Sequence, residues 1–479
     1  MKKFTLFLTA FFFLTVSFAQ PFISEDYPSA EFHSGRREAL RKLMPANSVT
    51  VIFSSPVRNY SNDVDYPYHQ NPDMYYFSGY REPDGLLLIF SEPQNINGKQ
   101  VKEVLFVQKK NPQAEQWTGV RLGADGALKI LKPDIALNSD EFKNLDIDFN
   151  KFDSIFTDRL YTDVSNSRNP ADLFDLIRIF KEKAGIEDQV QSNSRISSSR
   201  YRRMTGLLRE IKTPHEIYLL RKAVEISCIG QVEVMKALKP GMSEREIQGL
   251  HEFIHKKYDA EHVGYPSIVG AGNNGCILHY IDNNLPDMQN RLLLMDVGAE
   301  YRGYTADVTR TIPIKGKFNA EEKLIYNLVY EAQEAAFREA KEGVNFSYLD
   351  RVSRQVILNG LVKLGIAKNQ QEAAKYYPHG LGHHIGLDVH DRNSSSTLQK
   401  DMVITIEPGI YIPHGSDCDE KWWGIAVRIE DDILITTNGY ELLSSFAPRT
   451  ITEIEKLMEQ PSSLDKFKLP VLKSDKKGF

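Results

Sequence analysis

Between Leu292 and Ile314, apolar and polar positions alternate on either side of Tyr301, Arg302 and Gly303, the pattern of two strands joined by a tight turn. With Tyr301 and Arg302 as the loop, Glu300 pairs with Gly303, Gly298 with Thr305, and Asp296 stands opposite Asp307. Met295, Val297, Ala299, Ala306, Val308 and Ile312 then share an apolar face, and the two carboxylates share the other. Directly opposed residues have Cβ atoms roughly 4.5–5.5 Å apart. Two carboxylates that close resist joint ionisation unless a cation lies between them. Alone, such a pair more often marks a solvated hairpin face with two chance acids, and the remaining segments decide.

Helical periodicity surrounds this hairpin. Thr213 and Glu216 form a capping box with Pro214 at the first helical position, opening a helix that stops at Pro240-Gly241. Ser243 and Glu246 form another, for a helix to about Tyr258. After the hairpin the order repeats: Asn319 and Glu322 cap a helix to Gly343, Ser347 and Asp350 cap one to Gly365, and strands follow to Leu443. Helix, helix, strands, twice over, predicts two related halves around one sheet. Before Glu210 the chain reads as an α/β domain. Strands are expected at Thr50–Ser54, Leu86–Phe90 and Val104–Gln108, strand-like character at Tyr75–Phe77, and helices at Arg36–Leu43 and Ala171–Ala184. The run from Ser192 to Arg203 fits a linker or a helix start equally.

At 479 residues the chain exceeds the usual single core, so two domains are expected. Apolar content of 41% and charged content of 26% are those of a globular protein. A net charge of −5 gives no footprint for nucleic acid or an anionic membrane. Residues 1–19 combine Lys2 and Lys3, an apolar run from Phe4 to Val16 and small residues Ser17 and Ala19, which is a secretory signal peptide cleaved after Ala19. The run is shorter than the roughly 20 residues of a spanning helix, so no membrane anchor is expected after cleavage, and the location is secreted or periplasmic. Three cysteines, Cys228, Cys276 and Cys418, leave one bridge open at most, and no C-x-x-C exists for a thiolate zinc site.

Three later segments add donors. His379, His383, His384 and His390 fall within twelve positions among several glycines, which disfavour a helical zinc motif and favour a loop close to a ligand. A β-branched strand from Val403 ends at Glu407-Pro408-Gly409. Another, Ile425 to Glu430, puts Arg428 and Glu430 on one face before a turn at Asn438-Gly439. Two Asp, two Glu and one His at strand positions suit a pair of Mn, Co, Zn or Fe ions.

The segments MDVGAEYRGYTADVTRT, HGLGHHIGLDVHD, ITIEPGIY and VRIEDD resemble the signatures of the pita-bread metallopeptidases, in the Xaa-Pro aminopeptidase and prolidase branch. The resemblance spans about residues 212–443. More loosely, YYFSGYREPD and QWTGVRLG resemble that family's creatinase-like amino-terminal domain. It implies an α/β (α+β) protein. Residues 20–210 form the creatinase-like domain, residues 211–445 a catalytic pita-bread domain with pseudo-duplicated halves around a curved antiparallel sheet, and residues 446–479 a tail. The segment from Pro413 to Gly424 departs from the short connection of the simplest members.

Carried over by position, the resemblance makes Asp296, Asp307, His383, Glu407 and Glu430 the ligands of two divalent ions, foremost Mn2+. Asp296 and Glu430 would bridge both ions, with Asp307 on one and His383 and Glu407 on the other. Glu407 would also relay a proton, His379 and His390 would hydrogen-bond the substrate and the oxyanion, His279 would line the pocket beyond the cut, and Arg428 would contact substrate. The implied reaction releases the residue before a proline at the second position of a peptide, by a homodimer or homotetramer. An Xaa-Pro dipeptidase shares all five ligands and stays open. A metal-free relative, such as a creatinase-type hydrolase or peptide-binding module, would have lost ligands, and none is lost.

Overall fold

A computed structural model describes residues 26–186, 195–289 and 291–466. The expected signal peptide lies outside these residues.

The amino-terminal region is built on a five-stranded mixed sheet. Ser48–Phe53 lies between Leu86–Ile96, antiparallel, and Ser154–Phe156, parallel. Lys99–Val107 and Ile135–Asn138 continue it beyond Leu86–Ile96. All six residues of Ser48–Phe53 are buried, because helices cover both faces. Ala30–Leu43 and Leu173–Ala184 realise the expected helices. Ser197 caps Ser198–Arg209, so the polar run before it ends as a helix start. Tyr75–Phe77 is not strand-like but lies in the helix Pro72–Ser78. Asn71 caps it, Pro72 opens it and Gly79 ends it in the left-handed region, and this punctuation overrides the β preference of three aromatics.

The second region repeats a helix pair. Pro214–Ala237 and Glu244–Lys257 open with the expected capping boxes. Ala320–Glu339 and Phe346–Lys363 form the second pair. The first of these ends at Glu339 rather than Gly343, where Ala340 turns extended. The cap of the second is Asn345, whose side chain accepts from the Ser347 N–H, so Ser347 sits inside the first turn. All strand pairing here is antiparallel, in short ladders. Leu292–Val297 lies between Ile268–Ala271 and Val308–Pro313. Val403–Ile406, Asp431–Thr436 and Gly439–Leu442 form a second sheet, and Gly409–Ile412 pairs with Ile425–Arg428. Strand Ile425–Arg428 stops before Glu430, and the last hairpin turns at Thr437 and Asn438, since Gly439 is already paired with Thr436.

The aspartate hairpin is offset from the expected register. Tyr301 pairs with Tyr304 and Glu300 with Thr305, so the loop is Arg302-Gly303 and Asp296 stands opposite Thr309, not Asp307. Arg302 and Gly303 have φ of 51° and 84°, the two positive values of a type I′ turn. Moving the partner by two positions keeps every side chain on its face. Met295, Val297, Ala299, Ala306, Val308 and Ile312 are all fully buried.

No disulfide joins the three cysteines. Beyond residue 446 the chain forms the helix Ile451–Met458, which buries Ile454. In the 413–424 segment Trp422 is buried in the core, Asp419 caps a short 3-10 turn and Asp417 pairs with Lys375 on the surface. Among the described residues no helix is long and apolar enough to cross a membrane.

Candidate active site

Three of the four carboxylates sit in gaps between strands, and the fourth lies one residue from a strand end. Asp296 is next to the end of Leu292–Val297, and Asp307 falls in the gap between Tyr304–Thr305 and Val308–Pro313. Glu407 separates Val403–Ile406 from Gly409–Ile412, and Glu430 separates Ile425–Arg428 from Asp431–Thr436. The two halves meet where the Glu430 N–H donates to the Thr309 carbonyl at 3.1 Å and the Asp307 N–H to Asp432 Oδ2 at 3.0 Å.

His383 is aimed by its backbone. Residues 381–385 run along the edge of Val403–Ile406. Thr405 N–H donates to the His383 carbonyl at 2.9 Å and the Glu407 N–H to that of Leu381 at 2.7 Å. A Cβ at Gly382 would lie 2.1 Å from the Thr405 carbonyl oxygen, so only glycine permits this approach. The imidazole Nδ1 faces the His384 carbonyl at 3.1 Å, which directs Nε2 to Asp307 at 3.5 Å and Glu407 at 3.4 Å. Donor atoms of Asp307, His383 and Glu430 lie within 4.8 Å of one another.

Other groups hold the carboxylates. Tyr265 OH lies 2.5 Å from Oδ1 of both Asp296 and Asp307. Thr309 Oγ1 donates to Glu430 at 2.5 Å. Arg428 donates to Asp296 through one nitrogen and to Tyr411 OH, at 2.8 Å, through the other. His379 Nε2 also meets Tyr411 OH, at 2.8 Å. His390 packs edge-on to His383 with ring centroids 4.3 Å apart. His279 lines the same cavity, of about 640 Å³, with Leu278, Ile281 and Val389 on its apolar side. All nine candidate residues therefore border one cavity. Tyr265, Tyr411 and Thr309 escaped sequence reasoning. Tyr411 lies in the ITIEPGIY motif and Thr309 in MDVGAEYRGYTADVTRT, but no spacing marks Thr309 or Tyr265 as a carboxylate partner.

The cluster carries more acid than its cations neutralise. Burial, reinforced by Asp307, Glu407 and Asp296, pushes the Glu430 carboxyl well above its usual range. Burial lifts Glu407 to about 7 against the charges of His383 and Arg428. Burial disfavours charge on His383, yet its hydrogen bond to Asp307 and the charges of Asp307 and Glu407 outweigh it and raise the imidazole to about 9. His379 is instead pushed down to about 4 by burial and by Arg428. Three buried carboxylates, the partly exposed Glu407 and one imidazole facing a common space are a hard donor set for divalent ions, and the residues fit it.

Two family models match the chain: "Metallopeptidase family M24" over residues 218–437 and "Aminopeptidase P, N-terminal domain" over residues 33–149. The Xaa-Pro aminopeptidase of Escherichia coli is 35% identical over 441 residues, 88% of this chain and 96% of the relative. Human Xaa-Pro aminopeptidase 3 is 32% identical across 87% of this chain and 82% of its own. The solved structure of E. coli aminopeptidase P with the inhibitor Pro-Leu superposes with a TM-score of 0.79 at 33% identity, covering 90% of this chain and 98% of that one. The agreement runs through both regions and all the motif segments: the chain belongs to metallopeptidase family M24, as a metallo-aminopeptidase of the Xaa-Pro aminopeptidase branch.

Proposed function

We propose that this protein removes the amino-terminal residue from peptides with proline in second position, using two divalent ions held by Asp296, Asp307, His383, Glu407 and Glu430. The observation that carries this reading is the convergence of these five donors, two from one half and three from the other, on a cavity that also holds His279, His379, His390 and Arg428. When bound, the ions supply Lewis acidity and lower the pKa of water.

The chain's own residues do the rest. Glu407 would take a proton from the attacking water and relay it toward the leaving nitrogen. His379, kept neutral, and His390 hydrogen-bond the substrate and the developing oxyanion. Arg428 anchors Asp296 and lines the pocket, and His279 borders it beyond the cut. An Xaa-Pro bond has no N–H to give to a strand-binding protease. A site that grips the free amine and the ring is suited to it.

Mn2+ is the proposed ion, with Co2+, Zn2+ and Fe2+ compatible with the same donors. The working organisation is a signal peptide at 1–19, a creatinase-like domain at 20–210, a catalytic domain at 211–445 and a tail from 446, in a secreted or periplasmic homodimer or homotetramer.

The test is mass identification of products after incubating Mn-loaded protein with an Xaa-Pro dipeptide and an Xaa-Pro-Yaa tripeptide in parallel. Release of the first residue from the tripeptide is expected. Cleavage of the dipeptide alone would make the enzyme a prolidase, and cleavage of neither with any of the four metals would overturn the reading.

A further inference from the structure

Each half of the catalytic region runs one long helix behind its strands, and each helix buries one glutamine against them. Gln231, on Pro214–Ala237, and Gln333, on Ala320–Glu339, are both fully buried. Gln231 Nε2 donates to the carbonyls of Met295 at 3.1 Å and Val308 at 2.8 Å. Gln333 Nε2 donates to those of Ile406 at 2.9 Å and Ile429 at 3.0 Å, and also meets Asp431 Oδ2 at 2.9 Å. Met295 precedes Asp296, Val308 follows Asp307, Ile406 precedes Glu407 and Ile429 precedes Glu430. All four clasped carbonyls belong to residues covalently next to a carboxylate donor.

The placement has a physical cause. A carbonyl oxygen has two lone pairs, so a buried one beside a strand end can accept a side-chain N–H as well as its backbone partner. One NH2 group reaching two carbonyls, those of Met295 and Val308 on adjoining strands or those of Ile406 on a strand and Ile429 just beyond one, sets the separation of the two segments beside the carboxylates. The halves use it alike, although Gln333 is tied further through Arg449 Nη1, which donates to its Oε1 at 2.9 Å. Gln231 Oε1 has no hydrogen-bond partner among the described residues.

We propose that Gln231 and Gln333 are paired positioning residues, each fixing the spacing of one carboxylate pair, Asp296 with Asp307 and Glu407 with Glu430. This rests on the ligand assignment above. The test is calorimetric titration of Mn2+ into metal-free protein. Gln231→Met and Gln333→Met keep the side chain's length and remove its donors. Each is expected to bind Mn2+ about 10–100-fold more weakly, as outer-shell partners of metal ligands do, with an unchanged far-UV dichroism spectrum. Val234→Ala, one turn along from Gln231 and fully buried, is expected to lower the melting temperature and leave Mn2+ affinity unchanged.

Wild-type affinity in both Met variants, beside weakened binding in Asp296→Asn, overturns the positioning role alone. Wild-type affinity in Asp296→Asn overturns the ligand assignment and this role with it. A loss of affinity in Val234→Ala equal to that in the Met variants also overturns the role, since packing would then explain it. Should Gln333→Met fail to fold for want of its Asp431 and Arg449 contacts, Gln231→Met carries the test.

Discussion

Arg209→Met probes how the amino-terminal region is joined to the His379–His390 loop. Arg209 lies between two carboxylates, donating to Asp391 and, at 2.8 Å, to Asp73, and all three side chains are at most 3% exposed. Asp391 keeps Lys212 at 2.9 Å, and Asp73 keeps Arg392 at 2.6 Å and Tyr201 at 2.7 Å. Removing one partner of a buried pair costs about 3–5 kcal/mol. Since each acid retains a second cation, the lower end applies, about 3 kcal/mol, or roughly 10²-fold in the folding equilibrium. Burial alone would raise the Asp391 carboxyl, but the charges of Arg209 and Lys212 outweigh it and hold it below its usual range. A depressed folded-state value means that the stabilisation is present above the unfolded pKa of about 3.9 and is lost as pH falls through the folded one. The deficit of the variant is therefore largest at neutral pH and shrinks below about pH 4. Urea unfolding followed by tryptophan fluorescence at several pH values measures it. A deficit under about 1 kcal/mol at pH 7, or one that does not shrink in acid, would refute the reasoning.

Other outcomes follow from the site. Asp296→Ala and His383→Ala should each lower kcat/KM by about 10²-fold or more with the dichroism spectrum retained, and an unaffected rate in either would remove that residue from the ligand set. Because His383 at about 9 and Glu407 at about 7 must shed protons to bind metal, Mn2+ affinity should rise from about pH 6 to pH 9. Titrations in buffers of different ionisation enthalpy should detect proton release, and none would contradict the assignment. Metal-free protein has the opposite dependence at His383: a raised folded value stabilises fully below about 6.5, and that contribution fades as pH climbs through 9. Gly382→Ala should lower melting temperature and Mn2+ affinity together, because its Cβ displaces residues 381–385 from Val403–Ile406. A crystal structure of that variant with the segment unmoved would count against it.

The helices of the catalytic region were legible because their starts carry local chemistry: Thr213 with Glu216, Ser243 with Glu246 and Asn319 with Glu322 all close as boxes. Asn345 and Ser347 are not separable as caps from sequence, because both residue types cap and only the N–H geometry distinguishes them. The aspartate hairpin was legible by face but not by pairing, since period two fixes orientation while the turn's dihedral angles fix register. The nine candidate residues could be named because motif order and the family resemblance mark their positions. Tyr265 and Thr309 could not, because a hydroxyl that meets a carboxylate across the fold leaves no periodic trace along the chain.

That Asp307, Glu407 and Glu430 occupy gaps between strands separates two histories within these sheets. A residue in mid-strand answers to neighbours on both sides, so changing it means repacking a face. A residue in a gap answers to its own tethers, which here are Tyr265, Thr309 and the two buried amides. The apolar faces can therefore drift through many compensating exchanges without moving a donor, while a single lost tether shifts a donor with the core intact. Divergence in such a protein should accumulate in the strands and spare the seams.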